Sequence, residues 1–214
     1  MRPYLISCET IKDELELTLS KLGGNFDICW IESGLHNFPD RLHDCIQETL
    51  DQVEGYDTVL MCFGMCGNAM KNIRTKDFRL VIPKVEDCIS LLFGSDQKRR
   101  EFSGKNAAYF LTAGWMRGKR NLWTEYQHSV KRFGEIKAKR IADRMYANYR
   151  TLALLDTGAY PVDCLMEETE KIERVLGLSR MPVKGTLSLI EELLQDSWDP
   201  AKFHIVEPYS SLEL

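Results

Sequence analysis

The sequence contains no Cys-x-x-Cys pair, so the paired arrays that mark zinc ribbons and fingers are excluded. Gly64-Met-Cys-Gly67 lacks the lysine of a Walker A loop and the third glycine of G-x-G-x-x-G. There is no G-x-S-x-G elbow and no His-Glu-x-x-His helix motif. No apolar run reaches the 18 or more residues of a membrane-spanning helix. The start, Met-Arg-Pro-Tyr-Leu-Ile-Ser-Cys, lacks the long apolar region that a signal peptide needs before its cleavage point, and reads instead as a first strand. Internal repeats, low-complexity tracts and linkers are also missing, so the 214 residues are expected to form a single α/β domain over 1–214.

What is present is the composition of an ordinary soluble protein: 44% hydrophobic, 28% charged and a formal net charge of −4, none of which calls for nucleic acid or a membrane. The cysteines, at 8, 29, 45, 62, 66, 88 and 164, are odd in number and unpaired in spacing. Such usage argues against a disulfide framework and for a reducing, cytoplasmic location, where metal binding, catalysis or plain burial must account for the thiols.

Short apolar runs bounded by turn residues alternate with helical periodicity along the chain. Strands are expected at 4–8, 26–32, 57–63, 78–83, 109–112 and 151–155, with shorter ones at 180–184 and 203–206. Helices are expected from about residue 11 to a stop at Gly23-Gly24, from Pro39 to Val53, over 88–93, 161–176 and 186–194, and as one long segment over 119–149. Residues 119–150 hold nine Lys or Arg against three Asp or Glu, which is read as a solvated or partner-facing surface and not as a nucleic-acid site. The alternation predicts a Rossmann-like, doubly wound, mainly parallel sheet with helices on both faces.

In such sheets ligands bind outside the carboxyl ends of the strands. Those ends carry Cys8-Glu9, Gly34 to His36, Gly64 to Asn68, Asp87-Cys88, Gly114-Trp115 and Asp156 to Gly158. The central stretch is Asp57 to Met70, where an apolar run breaks at Gly64, Cys66, Gly67 and Asn68 and resumes as an apparent helix. A thiol at a helix start is expected to have a lowered pKa, which would make Cys66 available as thiolate. Cys66 and Cys88, then Cys8 and His36, are the candidate ligands for zinc or an iron–sulfur cluster. Gly64, Gly67, Asn68, Gly114 and Trp115 are the candidate cofactor-binding positions on the same rim. The plain alternative for the cysteines is burial as small hydrophobes, and for His36 a hydrogen bond within its loop.

Phe-Gly-Met-Cys-Gly-Asn after the third strand, Ile-Pro-Lys-Val-Glu-Asp-Cys-Ile with the following Leu-Leu-Phe-Gly-Ser, and Tyr-Phe-Leu-Thr-Ala-Gly-Trp together resemble the family known as domain of unknown function 1638. Ile6-Ser-Cys8 and Leu35-His36 with Pro39 fit the same pattern, so the resemblance extends over nearly the whole chain. Two positions depart from it: members often have Gly-Tyr-Gly-Leu-Cys where this chain has Cys62-Phe-Gly-Met-Cys66, and His where it has Glu86. The family has no established activity. Its members occur mainly in anaerobic bacteria and archaea, often encoded near corrinoid-dependent methyltransferases, so the resemblance implies one-carbon metabolism with a corrinoid as a further cofactor candidate and a small molecule or a corrinoid protein as partner. Two expectations result: a zinc or iron–sulfur protein of anaerobic methyl-transfer metabolism, or a metal-free α/β module that binds a small anion or cofactor fragment on its glycine loops.

Overall fold

The computed structural model describes residues 3–23 and 25–213, so Gly24 in the expected helix stop, and Met1 and Arg2 in the leading segment, lie outside the described residues. Among the described residues the strands are β1 (Tyr4–Cys8), β2 (Asp27–Ile31), β3 (Thr58–Cys62), β4 (Arg79–Pro83), β5 (Ala108–Leu111), β6 (Thr151–Asp156), β7 (Ser179–Lys184) and β8 (Phe203–Val206). They form two sheets, one of five strands in the order β2-β1-β3-β4-β8 and one of three in the order β5-β6-β7. All pairings are parallel except β4 with β8, so the α/β, Rossmann-like class holds.

The helices are α1 (Lys12–Leu22), α2 (Pro39–Asp51), α3 (Cys88–Phe93), α4 (Asp96–Asn106), α5 (Ala113–Arg117), α6 (Leu122–Phe133), α7 (Glu135–Met145), α8 (Val162–Leu176) and α9 (Ser188–Leu193). Because successive strand residues point to opposite faces, the buried clusters give the layering directly. Ile6, Val59, Met61, Leu80 and Ile82 pack with α2 residues on one face of the large sheet. Leu5, Leu60, Cys62 and Val81 face the other way, into a cluster shared with Ile11 and Leu15, with Leu91 of α3, with Ile190 of α9, and with Ala153, Leu155 and Val183 of the small sheet. Leu152 and Leu154 turn to the far face of the small sheet, against Leu165 and Ile172 of α8. Thus α1, α3 and α9 lie in a layer that serves both sheets.

Three sequence expectations change here. The long basic helix is a hairpin: Gly134 adopts φ 77°, ψ 161° and breaks it between α6 and α7, while Asn121 caps α6 with bonds to the N–H groups of Trp123 and Thr124. A helix without a sequence signal, α4, has no fully buried residue; Ser95 caps it and Phe102 packs it against Phe93 and Phe110. No helix follows Cys66, where residues 66–72 form successive turns. Cys66, Gly67 and Asn72 all have left-handed φ, and their apolar neighbours Ala69, Met70 and Ile73 are buried beneath α2, a spacing that imitates a helical stripe.

Among the described residues, no helix is long and apolar enough to cross a membrane.

Candidate thiol site at the carboxyl edge

The order β2-β1-β3 means that the chain leaves β1 to one side and returns to its other side. The carboxyl ends of β1 and β3 therefore flank the switch point where doubly wound sheets bind ligands. Cys8 ends β1, Cys66 follows β3, and Cys88 follows β4, the next strand along.

Two loops are zipped together at this edge. Met65 N–H donates to the Val85 carbonyl over 2.8 Å and Cys66 N–H to the Glu86 carbonyl over 2.9 Å. Gly64 makes that approach possible, since a Cβ there would lie 2.4 Å from the Asp87 Cα. Cys66 pays for the turn with φ 45°, a left-handed conformation unfavourable for a residue with a side chain. Asp87 caps α3 by accepting from Ser90 N–H over 2.7 Å, which sets the direction of Cys88 in the first turn.

The three thiols converge. The Thr10 hydroxyl donates to Cys8 Sγ over 3.0 Å and lies 3.9 Å from Cys88 Sγ, which keeps the two sulfurs within about 7 Å of each other. Burial pushes the Cys66 thiol up to about 12, with Cys8 and Asp87 adding in the same direction. Burial also drives Cys88 well above the ordinary thiol range, reinforced by Cys8 and Cys66. This reverses the expected lowering for Cys66: no helix dipole acts on it, and desolvation of the thiolate dominates. Cys8 is shifted up as well, again by burial first. Cys62, fully buried at the end of β3, is pushed up to about 12 by the same cause, and faces the α1 layer.

His36 sits on the same rim but in a different contact. Its Nδ1–H donates to the Ser33 carbonyl, leaving Nε2 as acceptor, and its ring lies 4.6 Å from that of Trp115. Burial lowers its pKa, so the neutral form is favoured. Among the described residues no hydrogen bond joins His36 to the three thiols. Gly114 lies against the Thr10 carbonyl, where a Cβ would come within 2.2 Å of the oxygen. Gly67 has φ 71° and room beside Pro39, and Asn68 is exposed, its carbonyl closing a turn with Lys71 N–H. Trp115 is half-buried, and its indole N–H is without an acceptor among the described residues. Among the described residues, no group of three or more His, Cys, Asp and Glu side chains already has the spacing of a metal cage.

Sequence reasoning passed over Thr10 and Glu14. Glu14 is fully buried where α1 meets the end of β6; Thr157 donates to one of its oxygens over 3.1 Å, and the other has no partner among the described residues. Burial raises its pKa to about 7. The available signal was its place between Ile11, Leu15 and Thr18 on the buried stripe of α1.

No curated protein and no solved structure matches the chain. A family model does, over residues 30–194, a span that contains His36, Cys66 and Cys88 but not Cys8. The chain belongs to the family described as protein of unknown function (DUF1638).

Proposed function

We propose that Cys8, Cys66 and Cys88 hold a zinc ion or an iron–sulfur cluster at the switch point, and that the protein serves methyl or thiol chemistry in anaerobic one-carbon metabolism. The observation that carries this reading is the convergence of three thiols from the ends of three adjacent parallel strands, with the Thr10 hydroxyl between two of them. The donor set fits a thiophilic metal: three sulfur ligands suit zinc or iron–sulfur chemistry, and a fourth position is left for substrate. Thiols raised by burial are neutral without a counter-charge, and a bound cation would deprotonate them. When bound, the metal would supply a Lewis-acid position for a substrate thiol or methyl carrier, a corrinoid among them.

The chain's own residues then have distinct tasks. The strained Cys66 turn and the Asp87 cap hold two sulfurs on loops bonded to each other, and Thr10 steadies Cys8 with its hydroxyl. His36 offers Nε2 on the same rim, as an additional ligand or as a base toward the substrate. A reducing, cytoplasmic setting suits seven free thiols. Nucleic acid is not among the proposed partners, because the excess of basic over acidic residues across α6, α7 and their flanks is local while the whole chain is acidic. Binding of an anion on the glycine loops has less support, since Gly64 and Gly114 both turn their open sides to the protein's own backbone.

The test is elemental analysis with absorption spectroscopy on anaerobically purified wild type, Cys66→Ser and Cys88→Ser. Stoichiometric zinc, or iron with a brown chromophore, is expected in wild type and is expected to be lost in both variants. A metal-free wild type, or full retention in both variants, overturns the reading.

A further inference from the structure

The α6–α7 hairpin ends in a tip that takes no part in the metal chemistry. Residues 131–137, Lys-Arg-Phe-Gly-Glu-Ile-Lys, are all exposed, and two of them, Phe133 and Ile136, are large and apolar. The two buried residues of α7 are Ala138 and Ala142. Helical spacing therefore puts Ile136, Lys137, Arg140 and Arg144 on the side of α7 that faces away from the rest of the molecule.

Residues 131–144 hold six Lys or Arg against two Asp or Glu, within a chain that is acidic overall. Among the described residues one of the six has a carboxylate partner: Lys139 pairs with Asp143 on its own helix. Lys131, Arg132, Lys137, Arg140 and Arg144 have none there, and Arg132 and Lys137 instead lie over the Phe133 ring, 5.0 and 4.8 Å from its centre.

Two exposed apolar side chains among five cations without carboxylates match a partner that is both apolar and anionic. A stable protein interface uses about 20–30 residues a side, more than this tip offers. The charges also ride on long side chains that no ion pair holds in place, so they present no fixed pattern for a folded partner to fit. A fluid bilayer with anionic headgroups needs none: it admits the apolar residues at its acyl boundary and lets the cations reach its phosphates.

We propose that the hairpin tip docks the protein on an anionic lipid bilayer, with Phe133 and Ile136 entering the headgroup boundary and the five cations meeting lipid phosphates. The contact is peripheral, and it is independent of the metal reading because no thiol takes part.

The experiment is cosedimentation of the full chain with vesicles of phosphatidylcholine, alone or with about one-third phosphatidylglycerol. Saturable binding to the anionic vesicles is expected, at least about tenfold tighter than to phosphatidylcholine and at least about tenfold weaker at ~0.3 M than at ~0.05 M salt. The double variant Lys137→Gln, Arg140→Gln should weaken it at least about tenfold and Ile136→Ser at least about threefold. Lys84→Gln, just past β4 in the large sheet, should leave it unchanged. Circular dichroism and the urea midpoint establish that each variant is folded; should the double variant not fold, Lys131→Gln with Arg132→Gln carries the same test. No preference for anionic vesicles, or binding indifferent to both the charge and the Ile136 substitutions, overturns the proposal. Binding of poly-L-glutamate or duplex DNA as tightly as the vesicles at matched charge overturns it too, and assigns the tip to an acidic macromolecule.

Discussion

The edge holding Cys8, Cys66 and Cys88 and the α6–α7 hairpin are built on opposite terms. At the thiol edge, backbone meets backbone, one residue with a side chain is forced to positive φ, and ionisable groups are deprived of water. On the hairpin, Ile136 and Met145 are 75% and 62% exposed, Phe133 lies under Arg132 and Lys137, and the turn is made by a glycine with open space around it. The first region spends stability to hold reactive groups in fixed positions, whereas the second spends little and fixes little. Function is to be sought where the chain tolerates strain.

Thiol reactivity gives the largest expected difference. In metal-free protein at pH 8, Cys66, pushed by burial from an ordinary 9.0 up to about 12, should be alkylated by iodoacetamide at least about tenfold more slowly than an exposed thiol, the lost thiolate fraction outweighing the greater nucleophilicity of the more basic sulfur. Exposed Cys164 on α8 is the internal reference in mass-spectrometric time courses. Equal rates at the two positions would place Cys66 in water and undo the contrast.

Packing comes next. Gly64→Ala puts a methyl 2.4 Å from the Asp87 backbone, which cannot swing away as a side chain would, so a loss of about 3 kcal/mol or more is expected in urea unfolding. Gly104→Ala in exposed α4 meets nothing within 4 Å and should stabilise by about 0.5–1 kcal/mol. A comparable cost at both sites would mean that the two loops can separate.

Glu14 supplies the pH dependence. Its folded pKa of about 7 lies above its ordinary value of 4.5, so the folded state retains a proton that the unfolded chain releases. Stability is therefore greatest below about pH 4.5, falls as pH rises to about 7, and is level above, by about 3 kcal/mol in all if the other groups contribute evenly. Glu14→Gln should flatten that interval in denaturant titrations at stepped pH. A slope unchanged by the substitution would assign the dependence elsewhere. At the small end, Ile136→Ser on the hairpin should change stability by less than about 0.5 kcal/mol.

The strands of this protein were legible because each is a short apolar run between turn residues, and the thiol edge was legible because Cys8, Cys66 and Cys88 each stand just past such a run. The division into two sheets was not, since β3 and β6 are buried on both faces and an apolar run does not specify its neighbours. The helix α4 left no trace because nothing in it is fully buried, and the false helix after Cys66 left a misleading one because Ala69, Met70 and Ile73 happen to be buried at helical spacing. Spacing likewise suggested a helix start at Cys66 where none forms and could not show the burial of its thiol, which is why the shift there has the opposite sign. The ring contact of His36 with Trp115 depends on a 3-10 turn over Ser33–Asn37 whose bend carries no periodic signature.

The antiparallel strand β8 bears on how the molecule assembles. The three strands of the small sheet follow one another without interruption between residues 108 and 184, so that sheet can form from local neighbours as soon as they are synthesised. The large sheet cannot be completed that way, because β4 pairs with residues 203–206 across the whole intervening small sheet. Until those residues arrive, β4 presents a bare hydrogen-bonding edge with buried-type side chains, a species prone to pairing with another chain. A released fragment ending near residue 190 should accordingly have a finished small sheet and a sticky large one.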